Sequence, residues 1–308
     1  MIVRLTAALL AVAAGATAVA LAVLLLHGTP GPSTAEPAAL PVAAGAPTPP
    51  PAAAPPRFPA PPANAVVFSR ENGADALALA VVPHGTDVLV QASVVGPQGT
   101  GVRGLSVSFG SRPATACGAG CYRATLPRPR AVDVRVGTVH WLVPLPAPWP
   151  PRSASSLVVR ATHVWRSLRT LAFYDRLASD QAHVVVSRWR AVAPDRLAYR
   201  IKGGYAAVIV GGRRWDRAQG GRWIESPQTV PVRQPVPVWQ SATDAHVVGA
   251  TATTWRITFF DPRTPAWFAI SVDKHTSRTL DLRMTTTAHF MHERYGPFDA
   301  PLDVVPPK

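Results

Sequence analysis

The sequence predicts a mainly β, α+β protein. An Ig-like antiparallel sandwich is followed by a longer antiparallel sheet carrying one packed helix, behind an N-terminal membrane helix. Three observations predict this. Residues 5–26 run without a charge. Apolar and polar residues then alternate with period two through much of 64–308. Residues 153–168 instead take helical spacing.

Leu5–Leu26 contains 22 uncharged residues, and about 20 apolar residues span a bilayer as helix. Arg4 on its N-terminal side favours a cytoplasmic start. Residues 1–28 therefore read as a membrane anchor. A cleaved signal peptide, with Ser33-Thr34-Ala35 as its small-x-small site, is the other reading. Residues 29–63 hold 13 Pro and 11 Ala. Such a segment cannot bury a core and reads as an extended linker.

Residues 64–146 read as the sandwich. Leu105, Val107 and Phe109 alternate with Ser106 and Ser108. Val132, Val134 and Val136 alternate with Asp133 and Arg135, and Val139, Trp141 and Val143 follow. Leu77–Val82 and Val88–Val95 are two earlier strands. Five prolines in Pro144–Pro151 place a boundary there.

Residues 152–308 form the second unit. In Ser153–Leu168, Leu157, Ala161, Val164, Trp165 and Leu168 fall on one helical face, with Ser153 or Ser155 as cap. Strands then return. Leu197, Tyr199 and Ile201 alternate with Arg196, Arg200 and Lys202; Trp255, Ile257 and Phe259 alternate with Arg256 and Thr258; Leu280, Leu282 and Met284 alternate with Asp281 and Arg283. Trp215 and Trp223 fall on two strands joined by a Gly turn, facing one side, as cavity wall or as hairpin packing. Gln228–Trp239 reads as a long ordered loop flanking a cavity mouth.

The formal net charge is +14, and 28 of the 31 basic residues are Arg. The Arg residues alternate along strands, as on a solvated face, and no compact basic run suggests nucleic acid. Attraction to anionic lipid headgroups is the better reading of this charge outside a membrane. No phosphate loop, His-Glu-x-x-His or Gly-x-Ser-x-Gly pattern occurs, so no catalytic residues are assigned and the chain is read as a non-enzyme. Cys117 and Cys121 flank Gly118-Ala119-Gly120. After export they are expected to form a disulfide across a hairpin, the other reading being a reactive dithiol or Cu(I) pair. His289, Met291 and His292 are the most metal-like stretch, although in a strand His289 and His292 face opposite sides.

These residues carry two resemblances. Val66–Pro146, with "ALALAVV", "GLSVSFG" and "ACGAGCYRATLP", resembles the YtkA/FixH-like sandwich found near or fused to CopD-type copper-resistance membrane proteins of actinobacteria. Ser153–Pro307, with "WRSLRTLAFYDRLAS", "RRWDRAQGGRW" and "RMTTTAHFMHERYGPFDAPLDVVPP", resembles the domain that often follows it, which is similar to the LolA/LppX lipoprotein-carrier fold. That resemblance implies an unclosed antiparallel β-barrel with a helix in its concave face and an apolar cavity. The chain departs from these families in having one membrane segment, no lipobox Cys and no N-terminal His of the copper-amine type.

The expectation is a single-pass, extracytoplasmic, non-enzymatic protein that binds a lipid or other apolar small molecule in the half-barrel cavity. Trp165, Trp189, Tyr199, Trp215, Trp223, Trp255 and Trp267 are its expected lining. A copper-handling accessory role is the alternative, through Cys117, Cys121, His289, Met291 and His292. A structural module serving a CopD-like membrane partner is the third reading.

Overall fold

The computed structural model describes residues 59–72, 75–94, 101–178, 184–228, 232–286 and 290–308. The expected anchor and most of the linker lie outside them. Among the described residues no helix is long and apolar enough to cross a membrane. The end of the expected linker is docked: the carbonyls of Pro59 and Ala60 accept from Ser93 Oγ (3.1 Å) and Gln91 Nε2 (3.0 Å).

The first half is built of β1 (Val66–Asn72), β2 (Asp75–His84), β3 (Asp87–Ser93), β4 (Val107–Phe109), β5 (Arg112–Pro113), β6 (Thr115–Gly118), β7 (Cys121–Pro127), β8 (Ala131–Val136) and β9 (Val139–Pro144). They form two antiparallel sheets, β1-β2-β3-β7-β6 and β5-β4-β8-β9. The inward residues of both, among them Phe68, Leu79, Val90, Phe109, Val134 and Trp141, share one apolar core. This is the sandwich that the alternation anticipates. Cys117 and Cys121 are disulfide-bonded across the β6–β7 turn, with Cα atoms 5.0 Å apart. Gly120 in that turn has φ +69°, and a Cβ there would run into the Val94 carbonyl oxygen.

The second half begins with α1 (Ser155–Ser167). Neither expected serine is the N-cap residue, although Ser153 Oγ accepts from the Ser155 N–H at 3.3 Å. Ala154 is the N-cap, fully buried, and its N–H donates to Ala245 O at 2.7 Å. The chain entering α1 thus pairs with a strand edge, which fixes where the helix begins. Eleven antiparallel strands follow: β10 (Thr170–Ala178), β11 (Val184–Val192), β12 (Arg196–Ile201), β13 (Ala206–Val210), β14 (Arg213–Arg217), β15 (Ile224–Pro227), β16 (Thr243–Ala250), β17 (Thr254–Asp261), β18 (Ala266–Asp273), β19 (Thr279–Thr285) and β20 (Phe290–Phe298). They form one open sheet in the order β15-β14-β13-β12-β11-β10-β20-β19-β18-β17-β16. Two meanders, β10–β15 and β16–β20, are therefore zipped together where β20 pairs with β10.

One face of this sheet closes on α1. Trp165 of the helix meets Tyr295 edge-on at 4.6 Å and Trp239 at 5.6 Å. Trp239 donates from Nε1 to Thr162 Oγ1 at 2.9 Å, so the 232–239 segment straps the helix down. Residues from β10–β13 and β16–β20 share this core with α1, which requires a sheet curved around its helix.

The two halves pack together. Ala65, Val67, Ala78 and Ala80 meet Phe260 and Trp267 in a separate apolar cluster. Beside it, Ser69 Oγ and Thr285 Oγ1 are 2.5 Å apart. Trp267 is thus fully buried against the sandwich, on the sheet face away from α1. The structure corrects its expected place in a cavity lining.

Removing Trp165 leaves a void between helix and sheet. Large-to-small core changes of Trp cost about 3–5 kcal/mol. Urea unfolding of Trp165→Ala is expected to show a loss of that size, whereas Trp223→Ala, at a half-exposed site, is expected to lose under about 1 kcal/mol.

Candidate functional site

The register of β20, β10, β11 and β12 sets Tyr295, Phe173, Trp189 and Tyr199 side by side in one lateral row. All four face α1. Phe173 stacks on Trp189 at 5.6 Å, and Trp189 stacks on Tyr199 at 4.4 Å. Of the seven expected lining residues, the structure gathers Trp165, Trp189 and Tyr199 in this core. Trp255 packs at its margin between Arg152 and Lys274, at 4.4 and 4.2 Å. Trp215 and Trp223 lie on the opposite face, with Ala198, Val208 and Val304. They do share a side, as the Gly-turn reading expects. The alternation of strand side chains is the reason for the split: Val208, not Ala207, is the β13 partner of Trp215.

The next row on the α1 side is unusual. Glu293, Asp175 and Ser187 stand directly opposite one another on β20, β10 and β11, between Leu282 and Ile201. Both acids are buried. Trp189 Nε1 donates to Ser187 Oγ at 2.6 Å, and Ser187 Oγ donates to Asp175 Oδ2 at 3.2 Å. Tyr295 OH donates to Glu293 Oε2. Asp175 Oδ1 is buried without a partner. Burial pushes the Asp175 carboxyl up to about 7. Burial, and then the neighbouring Asp175, push Glu293 up to about 8. Two carboxylates so placed favour their protonated forms. The sequence motifs do not single out this pair, although a signal is present: Asp175 and Glu293 occupy apolar-phase positions of the Leu171/Phe173/Leu177 and Met291/Tyr295 alternations.

A cavity opens over the other face; the strand positions of Phe173, Trp189, Tyr199 and Tyr295 also contribute to its lining, so Trp189, Tyr199 and Trp223 of the expected residues border it. It measures about 700 Å³. Its floor is apolar and small: Ala172, Ala198, Ala206 and Val208, flanked by the rings of Tyr174 and Trp223. Tyr174 is 38% exposed. Arg188, Arg190, Arg200, Arg217 and Arg294 line it too. The small residues make the hollow, because their neighbours on the same face carry long side chains. A second hollow, of about 710 Å³, lies between the end of α1 and residues 232–236, lined by Leu168, Val232 and Val236 beside Arg166, Asp195 and Arg233.

The expected metal ligands are not assembled among the described residues. His289 lies outside them. Met291 is buried on the α1 side opposite Met284 and Leu177. His292 points to the other face, where its Nε2 sits 2.6 Å from Asp281 Oδ2. Cys117 and Cys121 are spent in their disulfide, in the sandwich. Period-two alternation separates Met291 from His292. No group of three or more His, Cys, Asp or Glu suited to a metal ion occurs among the described residues.

No protein-family profile matches the chain, and no curated protein matches it significantly. Among solved structures, a LolA superfamily protein from Nitrosomonas europaea aligns at 9% identity with a TM-score of 0.25. The alignment covers 50% of this chain and 96% of that one. A likeness of that degree carries no argument about function, which has to rest on the geometry of the chain itself.

The buried acids couple stability to pH. Both folded values exceed the unfolded ones, which lie near roughly 4. Their contribution is therefore fully present below about pH 4 and lost as pH rises through the folded values, about 7 and about 8. The melting temperature is expected to fall between pH 5 and pH 9. In the double variant Asp175→Asn, Glu293→Gln that slope is expected to flatten; an unchanged slope would remove these two groups as its source.

Proposed function

We propose that the chain is a non-enzymatic binding protein for a lipid or other apolar ligand, seated in the open cavity over β10–β14. The observation that carries this is the 700 Å³ hollow itself, with its floor of Ala172, Ala198, Ala206 and Val208 between two aromatic walls. Ligand cavities of about 300–1,000 Å³, mostly apolar with a few polar groups, are typical of small-molecule sites. The half-barrel interior expected to hold the ligand is instead occupied by Trp165, Trp189, Trp239 and Phe173 in mutual contact with α1. The apolar ligand is therefore moved to the outer face.

The setting we propose is the outer side of a cell membrane, with residues 5–26 as anchor. The Cys117–Cys121 bridge supports it, because disulfides persist in oxidising compartments. Copper handling finds no support in the geometry, because Met291 and His292 lie on opposite faces and Cys117 and Cys121 are joined in a disulfide.

N-phenyl-1-naphthylamine, a neutral apolar fluorophore, tests the reading. Titration of the chain is expected to give saturable binding near one equivalent. Tyr174→Ala, Trp223→Ala is expected to weaken it about tenfold, since each aromatic wall contributes roughly 0.5–1.5 kcal/mol. Absence of saturable binding, or unchanged affinity in that variant, contradicts it.

A further inference from the structure

Along the cavity, cross-strand pairing aligns Arg294, Tyr174, Arg188, Arg200, Ala206 and Arg217 in one lateral row over six consecutive strands. Arg188 and Arg200 stand directly opposite each other, and Arg190 is one row away on the same face. Neighbouring strands lie about 4.8 Å apart, so guanidinium groups on adjacent strands reach one common anion. Among the described residues no carboxylate forms an ion pair with Arg188, Arg190, Arg200 or Arg294. The acid of this row, Asp281, stands opposite Arg294 but is engaged by His292 Nε2 at 2.6 Å. Arg217 lies over the Trp223 ring at 4.6 Å, which holds its side chain at the cavity wall.

Three features distinguish this row from a solvated surface. Solvated strand faces mix charges of both signs, whereas like charges placed directly opposite destabilise a sheet. The charges ring a hollow rather than a convex face. They are all Arg, whose planar fork matches phosphate and carboxylate oxygens two at a time. The row beside them runs Ala172, Arg190, Ala198, Val208 and Trp215, and its apolar stretch is Ala198–Val208–Trp215.

We propose that this Arg row recognises an anionic headgroup, a phosphate or carboxylate, so that the ligand is an anionic amphiphile with its chain over Ala198 and Val208, beside the Trp223 ring. This rests on the proposed apolar-ligand site and names the class of its ligand. Arg188 and Arg200 form the centre of the headgroup site, with Arg294 and Arg217 at its two ends. Without ligand their mutual repulsion is uncompensated; the bound anion relieves it.

The test is displacement of N-phenyl-1-naphthylamine from the full chain by dodecyl phosphate, by 1-dodecanol and by inorganic phosphate. Dodecyl phosphate is expected to displace at a concentration at least tenfold below dodecanol. Arg188→Gln, Arg200→Gln is expected to erase that gap while leaving dodecanol unchanged, and to raise the melting temperature of the ligand-free chain. Arg188→Lys, Arg200→Lys keeps the charge and is expected to retain part of the gap. Equal displacement by phosphate and alcohol overturns the headgroup assignment but leaves the apolar site standing. Failure of the fluorophore to bind sinks the apolar site itself. If inorganic phosphate alone competes as well as dodecyl phosphate, the anion recognised is free, and the amphiphile assignment is wrong. A Gln variant with an undiminished gap overturns the proposal; should that variant not fold, the Lys variant decides it through the size of its gap.

Discussion

The cross-strand register of β20, β10, β11 and β12 governs the rest of the structure. Tyr295, Phe173, Trp189 and Tyr199 must align for the sheet to close on Trp165 of α1. Because strand side chains alternate, the same register aligns Arg294, Tyr174, Arg188 and Arg200 on the reverse face. A slip of one residue would exchange the two sets and put Arg beneath the helix. Burial of the aromatic row therefore enforces the row of like charges behind it. The sheet tolerates the repulsion because the core side outweighs it: each buried aromatic contributes about 1.5–3 kcal/mol, against under about 1 kcal/mol for an exposed like-charge pair.

The α1 side has a similar tension. Glu293 and Asp175 occupy core positions where Leu or Ile would pack without penalty. The cluster satisfies one oxygen of each acid, Asp175 Oδ2 through Ser187 and Glu293 Oε2 through Tyr295, and burial holds the carboxyls toward their neutral forms. Trp239 and the segment around it lie over the helix. With the Ala154–Ala245 backbone bond, they fix α1 at both its entry and its flank.

Much of the architecture was legible in the sequence. Val132/Val134/Val136 and Val139/Trp141/Val143 gave two neighbouring strands, and the change of period at Ser153–Leu168 gave the helix within two residues of its ends. The disulfide was legible from the Gly-rich spacer. The sites were less so, because alternation assigns residues to a face but says nothing of which strands lie side by side. Trp165, Trp189, Trp215, Trp223 and Trp267 look alike in sequence; the topology distributes them to the helix core, the outer face of the sheet and the contact with the sandwich. Likewise Arg188, Arg200 and Arg217 each read as one exposed residue of one strand. Only the pairing of β11, β12, β13 and β14 makes a row of them. Asp175 and Glu293 were visible as polar breaks in apolar phases, but their meeting depends on β20 closing the meander against β10, a contact across more than 100 residues of chain.

In the proposed complex the ligand occupies the outer face rather than the space beneath α1. The most direct measurement is a crystal structure of the chain with an acyl phosphate brominated at its chain end, read by anomalous scattering. The bromine is expected between Val208 and Trp223, with the phosphate against Arg188 and Arg200. A bromine peak between Trp165, Trp239 and the inner aromatic row would contradict it, and would return the ligand to the interior of the half-barrel.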